Sequence, residues 1–243
     1  MKMRALILIG LFLNTFLFAQ NYKNDSIKFN YKSFIIPSIL LTYGIVGIHN
    51  PELKLINNEI KQEVLEHIDK KITIDDISQY TPILAVYGLD MLGISGKNNL
   101  KDRTIILGTA YLLMSSTVVG LKTIIDEERP DNSSKNSFPS GHTATAFMGA
   151  EFLYQEYKEK SILYGILGYV VATGTGLFRI YNDRHWLTDV AAGAGIGILS
   201  TKIAYLTHPW VKKKIFKDKK KSNTLILPFY NNKNIGLSFT ITL

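Results

Sequence analysis

The chain has 243 residues, of which 46% are hydrophobic and 20% are charged. This length and composition exclude a disordered or collagen-like protein and allow one ordinary domain or two small ones. The absence of cysteine excludes disulfides, thiolate metal sites and a cysteine nucleophile. A net charge of +8 and a mean hydropathy of +0.07 leave open nucleic acid, anionic lipid or a phosphorylated compound as the partner.

Residues 1–20 have the layout of a secretory signal peptide. They carry two cations, Lys2 and Arg4, then an uncharged apolar run, and they end in Ala19-Gln20. Cleavage after Ala19 or Gln20 fits this layout, and so does retention as an anchor helix. In both cases we expect the chain to be directed to the cell envelope, where nucleic acid is not an expected partner.

The body of the chain is predicted to be all-α, with about six core helices between residues 34 and 206. Two uncharged runs of 18 residues, Thr104–Leu121 and Ser161–Phe178, are borderline for crossing a bilayer, which needs about 20 residues. Periodicity alone therefore leaves open whether these helices span a membrane or form the core of a compact enzyme. The segments predicted to be helical are 34–48, 51–68, 82–94, 104–121, 142–157, 161–178 and 190–200.

The basic charge is concentrated near the carboxyl end. Residues 211–222 contain seven lysines, opposed by Asp218 alone. This lysine-rich tail is interpreted as a solvated linker, a contact with anionic headgroups, or a cytoplasmic anchor under the positive-inside rule. Residues 235–243 alternate apolar and polar side chains. Together with the apolar segment 225–230 and a turn-like 231–234 segment, they predict a small β-hairpin over 223–243.

Three cations stand next to apolar runs, where an unpaired charge is costly. Lys122, Arg129 and Arg179 would suit a phosphate group, since Arg binds its oxygens in a bidentate manner and Lys acts as a point charge. Ser140-Gly141 opens a predicted helix, so its backbone N–H groups are expected to face an anion.

Two histidines add acid–base chemistry to these cations. His185 and Asp189 are four residues apart, which predicts one helical face on which the carboxylate holds one ring nitrogen and frees the other. This arrangement suits a nucleophile or a base, and His142 is then available as a general acid. No carboxylate cluster is expected beside these histidines, so a metal site is not predicted.

These segments together resemble the type 2 phosphatidic acid phosphatases, which share a fold and site with bacterial class A acid phosphatases and vanadium haloperoxidases. The three motif parts are Lys122-x6-Arg129-Pro130, Pro139–His142, and Arg179-x5-His185-x3-Asp189. The resemblance covers roughly 104–206, and extends less fully upstream to Phe34. Phe178 stands where the family motif has Ser, which removes a hydroxyl from the edge of the site.

The resemblance implies a helical bundle and a phosphatase that needs no metal or cofactor. It assigns phosphate binding to five residues: Lys122, Arg129, Ser140, Gly141 and Arg179. It further implies that His185 forms a phosphohistidine, that Asp189 orients His185, and that His142 protonates the leaving alcohol.

The expected substrate is a phosphorylated lipid of the phosphatidate, phosphatidylglycerophosphate, undecaprenyl pyrophosphate or lipid A type. The expected location is the membrane of the cell envelope, with the active site facing the periplasm. The alternatives are a soluble periplasmic acid phosphatase of broad specificity and, less favoured, a haloperoxidase that binds vanadate. Counting every apolar segment up to Leu121 as a crossing would put Lys122 inside, and this conflict disappears if the short helices do not all cross.

Overall fold

The computed structural model describes residues 30–66, 73–216, 223–231 and 234–242. The predicted signal peptide at 1–20 and residues 217–222 of the lysine-rich tail lie outside these described residues. The described body is helical, which confirms the predicted all-α fold. The helices are α1 Lys32–Gly47, α2 Pro51–Glu66, α3 Asp75–Ser78, α4 Thr81–Met91, α5 Leu100–Ile124, α6 Gly141–Tyr157, α7 Ile162–Tyr181 and α8 Leu187–Ile215.

Polar side chains cap three of the helix starts, because the first backbone N–H groups of a helix have no partner within the helix. The Asn50 Oδ1 accepts a hydrogen bond from the Leu53 N–H at 3.0 Å, which confirms the predicted start of α2 at Pro51. Asn99 accepts in the same way from the Asp102 N–H at 3.0 Å. At the start of α7, the Ser161 Oγ accepts from the Leu163 N–H at 3.3 Å.

Two helices depart from the sequence prediction. Helix α3 has only four residues, which is too short to show a helical period, and the sequence analysis missed it. Helix α8 runs for 29 residues and includes Lys212–Lys214 in its last turn. The first part of the predicted lysine-rich tail is therefore helical, because the backbone continues past the last apolar residues of the core.

Glycines allow α6 and α8 to approach almost to backbone contact. A Cβ atom on Gly193 would lie 2.5 Å from the Ser140 carbonyl oxygen, and one on Gly197 would lie 2.3 Å from the Ala144 carbonyl oxygen. Real side chains do not tolerate such distances to backbone atoms, so the small residues are required here. This close packing holds the start of α6 against the first turns of α8.

Among the residues that the structure describes, three helices are long and apolar enough to cross a membrane, namely α5, α7 and α8. Apolar side chains on the outer faces of α5 and α7 are exposed, such as Leu112 at 70% and Val170 at 61%. Large exposed apolar surfaces of this kind are typical of contact with lipid, so the protein is membrane-associated.

Helix α4 has 11 residues and is therefore about 16 Å long, too short to span a bilayer. The predicted segment 82–94 is therefore too short to cross by itself, so not every apolar segment up to Leu121 counts as a crossing. Helices α1 and α2 meet at an angle of 94°, so they do not form one straight span.

The carboxyl-terminal segment forms a two-stranded antiparallel hairpin, as predicted. Strand β1 covers Asn223–Asn231 and strand β2 covers Asn234–Thr242. Asn223 pairs with Thr242 at the open end, and Asn231 pairs with Asn234 next to the turn.

Candidate active site

His185 and Asp189 meet at the start of α8. The His185 Nδ1 lies 3.5 Å from the Asp189 Oδ2, and the two side chains are only 3% and 1% exposed. The same carboxylate oxygen accepts hydrogen bonds from the Ser137 hydroxyl and from the Trp186 N–H, the latter at 3.0 Å. These donors fix the carboxylate, which in turn leaves the Nε2 of His185 as the nitrogen available for chemistry.

The expectation that this pair shares one helical face is wrong in one respect. His185 lies in the turn before α8, while Asp189 is in the first turn of that helix. The two side chains meet because Asp189 turns back toward the helix start, where it also accepts from the Trp186 N–H. A carboxylate in the first turn satisfies the free N–H groups there.

Burial lowers the pKa of His185 to about 4, and the nearby charges of Lys122 and Arg179 lower it further, while Asp189 opposes them. The imidazole is therefore neutral over the physiological pH range. A neutral imidazole has a free lone pair, which is the form that a nucleophile requires.

The loop between α5 and α6 carries the first motif and is tied back on itself. The Lys122 Nζ donates to the carbonyl oxygens of Asn136 and of Ser137, the latter at 3.3 Å. The Arg129 Nε donates to the Asn136 Oδ1 at 3.1 Å, and the Ser137 N–H donates to the Glu127 carbonyl at 2.9 Å. Lys122 therefore binds the loop through two backbone carbonyl oxygens. Its predicted role in phosphate binding did not include this contact.

The second motif is joined directly to the histidine pair. The Ser140 N–H donates to the Asp189 carbonyl oxygen at 3.1 Å, and its hydroxyl lies 2.8 Å from the Thr143 hydroxyl. Helix α6 begins at Gly141, so His142 lies in its first turn. The structure therefore brings all three motif parts together, although they are separated by up to 67 positions in the sequence.

A cavity of about 190 Å³ lies in this region. Of the predicted site residues, Arg129, His142 and Arg179 line it. Lys122, Ser140, Gly141, His185 and Asp189 do not line it, but the His185 N–H donates to the Arg179 carbonyl at 3.3 Å. The other lining residues were not predicted from the sequence: Thr73, Asp75, Asp76, Asn182 and Arg184.

Two aspartates of α3 contact the predicted cation and acid. The Asp75 carboxylate accepts from the Arg179 Nη1 and, at 3.0 Å, from the Asn182 Nδ2. The Asp76 Oδ1 lies 2.8 Å from the His142 Nε2. The expectation that no carboxylate cluster accompanies the histidines is therefore wrong. The only sequence signal was a pair of adjacent acids between two predicted helices.

Asp75, Asp76 and His142 offer ligand atoms within 4.8 Å of one another, a grouping of the kind that holds a metal ion. The Arg179 Nη1 contacts the Asp75 carboxylate and lies 4.0 Å from the Asp76 Oδ1. The guanidinium therefore already supplies positive charge to this pair.

The cations of the site are close enough to repel one another. Burial lowers the pKa of Arg129, and Arg179 and Arg184 lower it further, while Asp131 opposes this. The buried Nε of Arg179 has no hydrogen-bond partner among the residues that the structure describes. A buried donor within a set of cations fits an anionic ligand, since such donors rarely stay unpaired.

A family model described as the PAP2 superfamily matches residues 103–213. Phosphatidylglycerophosphatase B of Bacillus subtilis (strain 168) is 30% identical over 154 residues, covering 58% of this chain and 73% of that protein. The chain belongs to the PAP2 superfamily.

The chain is also similar to two other proteins. Lipid A 1-phosphatase of Porphyromonas gingivalis is 39% identical over 148 residues, which is 60% of this chain. The matched region spans only 32% of that relative's length. The solved structure of Aquifex aeolicus LpxE is 21% identical, with a TM-score of 0.43, and the match covers 75% of this chain and 99% of that one.

Proposed function

We propose that this PAP2 protein is a phosphatase that removes a phosphate group from a membrane lipid through a phosphohistidine on His185. The observation that carries this proposal is the buried His185–Asp189 pair, set beside Lys122, Arg129 and Arg179. A neutral, oriented imidazole among cations combines a nucleophile with a binding site for the charged group that it attacks.

In the first step, the His185 Nε2 attacks the phosphorus and the bond to the lipid oxygen breaks. His142 gives its proton to that oxygen, so the lipid leaves as a neutral alcohol or, from a pyrophosphate, as a protonated phosphate. Arg129 and Arg179 hold the phosphoryl oxygens, and Asp189 stabilises the positive imidazole that forms.

In the second step, a water molecule attacks the phosphorus of the phosphohistidine. His142, now neutral, takes a proton from this water, and the bond between phosphorus and nitrogen breaks. The products are inorganic phosphate and a neutral His185. Both histidines return to their starting protonation states, so the cycle consumes one water for each phosphate released.

The apolar surface favours a lipid over a soluble ester. An open groove of about 630 Å³ lies along α7 and is lined by Ile162, Ile166, Val170 and Leu177 among others. Leu177 is two residues from Arg179, so the groove extends toward the end of α7 that carries the site. A groove of this size and lining has room for an alkyl chain.

We further propose that the site faces the periplasm. Helix α8 carries Asp189 in its first turn and Lys212–Lys214 in its last turn, and the positive-inside rule places such lysines in the cytoplasm. Because the chain has no cysteine, each single replacement by cysteine gives this protein one reactive thiol, and its labelling is measured after the protein has been purified. We expect Ser133→Cys, in the exposed site loop, to react with an impermeant maleimide in intact cells, and Lys213→Cys to react only after lysis.

The activity is tested with purified protein in detergent, by phosphate release from phosphatidate, phosphatidylglycerophosphate, undecaprenyl pyrophosphate and lipid A. Wild type is expected to release phosphate from at least one of them and to form an acid-labile phosphoprotein from labelled substrate. His185→Ala should lose both signals, whereas His49→Ala, which removes an exposed histidine, should retain them. Phosphate release by His185→Ala at a rate near that of wild type would contradict the assigned nucleophile.

A further inference from the structure

Helix α3 contacts two groups of the proposed reaction, Arg179 and His142. Asp75 contacts Arg179, and the next residue, Asp76, contacts His142. Consecutive residues thus address a phosphate-binding cation and a general acid. Neither aspartate belongs to the three motif parts, and neither has a role in the mechanism described above.

Helix α3 is held against α7 at both of its ends. The Ser78 hydroxyl lies 2.8 Å from the Thr175 hydroxyl of α7, and the buried Asp75 binds Arg179 and Asn182 at the end of the same helix. Asp76 is placed between these two anchors. Its 2.8 Å contact with the His142 Nε2 therefore belongs to a braced element, although the Asp76 side chain is itself 57% exposed.

We infer that Asp76 is a positioning residue for His142. Asp76 orients the imidazole and favours its protonated form, which donates a proton to the leaving oxygen. This inference rests on the proposed phosphatase function. The contact leaves the His142 Nδ1 for the proton transfer. Asp76 would then serve the acid as Asp189 serves the nucleophile.

The charges around His142 show why such a partner matters. Burial lowers the pKa of His142, the Arg179 guanidinium lowers it further, and Asp76 and Asp75 raise it again. Arg129 and Arg184 also line the cavity and add positive charge. Without Asp76, the cations would favour the neutral imidazole, which cannot act as an acid.

The test compares two substrates whose leaving groups differ in their need for a proton. The leaving group of an alkyl phosphate, such as short-chain phosphatidate, departs as an alkoxide unless its oxygen is protonated. The leaving group of p-nitrophenyl phosphate departs as a stable phenolate. The value of kcat/KM reports the steps up to phosphoryl transfer to the enzyme, so it isolates the proton donation to the leaving group. The variant is Asp76→Asn, which retains the shape and one acceptor oxygen of the side chain.

We expect Asp76→Asn to lower kcat/KM for the alkyl phosphate by about 10-fold, a part of the 10²- to 10⁴-fold that general acids contribute. The value for p-nitrophenyl phosphate should change by less than about 2-fold. The basic limb of the alkyl phosphate pH profile should move down by about one pH unit, because the lost carboxylate lowers the pKa of His142.

Two further variants make the result specific. Asp126→Asn removes an exposed carboxylate from the loop after α5 and should leave both substrates and the pH profile unchanged. In a His142→Gln background, Asp76→Asn should cause no further loss, since its effect passes through His142. A thermal midpoint equal to that of wild type would show that Asp76→Asn is folded.

The outcomes separate this inference from the proposed function. Wild type that releases phosphate from no substrate would overturn the proposed function and the inference with it. Active wild type with equal losses on both substrates, or with an unmoved pH profile, would overturn the inference alone. A rise in kcat/KM for Asp76→Asn would also overturn it, because Asp76 would then compete with the substrate phosphate for Arg179.

Discussion

The burial of His185 predicts a loss of stability at acid pH that a single substitution removes. His185 is almost fully buried, and its pKa falls from the ordinary value of 6.5 to about 4. Between these two values the unfolded chain binds a proton that the folded chain excludes. The free energy of unfolding therefore decreases as the pH falls through this window. We expect His185→Gln, which keeps a polar side chain but cannot titrate there, to abolish this contribution.

The difference between 6.5 and about 4 corresponds to about 3 kcal/mol, since each pKa unit is worth about 1.4 kcal/mol. For a chain of 243 residues, that amount corresponds to about 6 to 12 °C in the unfolding midpoint. The contribution is fully present above pH 6.5 and is lost by pH 4. Above pH 7 the wild type and the variant should show parallel behaviour.

The assay is thermal unfolding of the detergent-solubilised protein between pH 4 and pH 8. Other groups titrate in the same interval, so the informative quantity is the difference between wild type and His185→Gln at each pH. His49→Gln removes an exposed histidine and should follow wild type throughout. If wild type and His185→Gln lose the same stability between pH 7 and pH 4, then His185 is not the buried neutral imidazole described above.

Three substitutions test the packing of α6 against α8 and the ion pair of the buried Arg103. Gly197→Ala places a Cβ atom 2.3 Å from the Ala144 carbonyl oxygen and should cost about 3 kcal/mol by overpacking; Gly108→Ala, with open space around it, should be neutral or gain up to about 1 kcal/mol. Equal midpoints for these two variants would contradict the close approach of α6 and α8. Glu156→Gln removes one of two carboxylates that face the buried Arg103, the one at 3.4 Å. Because Asp90 remains at 3.2 Å, the substitution should cost about 2 kcal/mol. An unchanged unfolding midpoint would show that Arg103 does not depend on this partner.

Much of the fold was predictable because its signals are local. Uncharged runs mark α5 and α7, and the Asn50-Pro51 pair marks the start of α2. The helix ends were less predictable, since α8 continues to Ile215 through residues that periodicity assigned to a tail. The number of crossings could not be counted from hydropathy, because the apolar helix α4 is only 11 residues long.

The site shows the same division between local and distant signals. His185 and Asp189 are only four residues apart, so the sequence spacing predicts their contact even though His185 lies outside the helix. The contact between His142 and Asp76 joins residues 66 positions apart, and no spacing rule connects them. The packing of the four-residue α3 against α7 and α6 produces this second pair. The contact of His185 with Asp189 was therefore predictable, whereas the partner of His142 depends on the assembled fold. Substitutions near Asp76 should accordingly change the surroundings of His142 while leaving the His185–Asp189 pair intact.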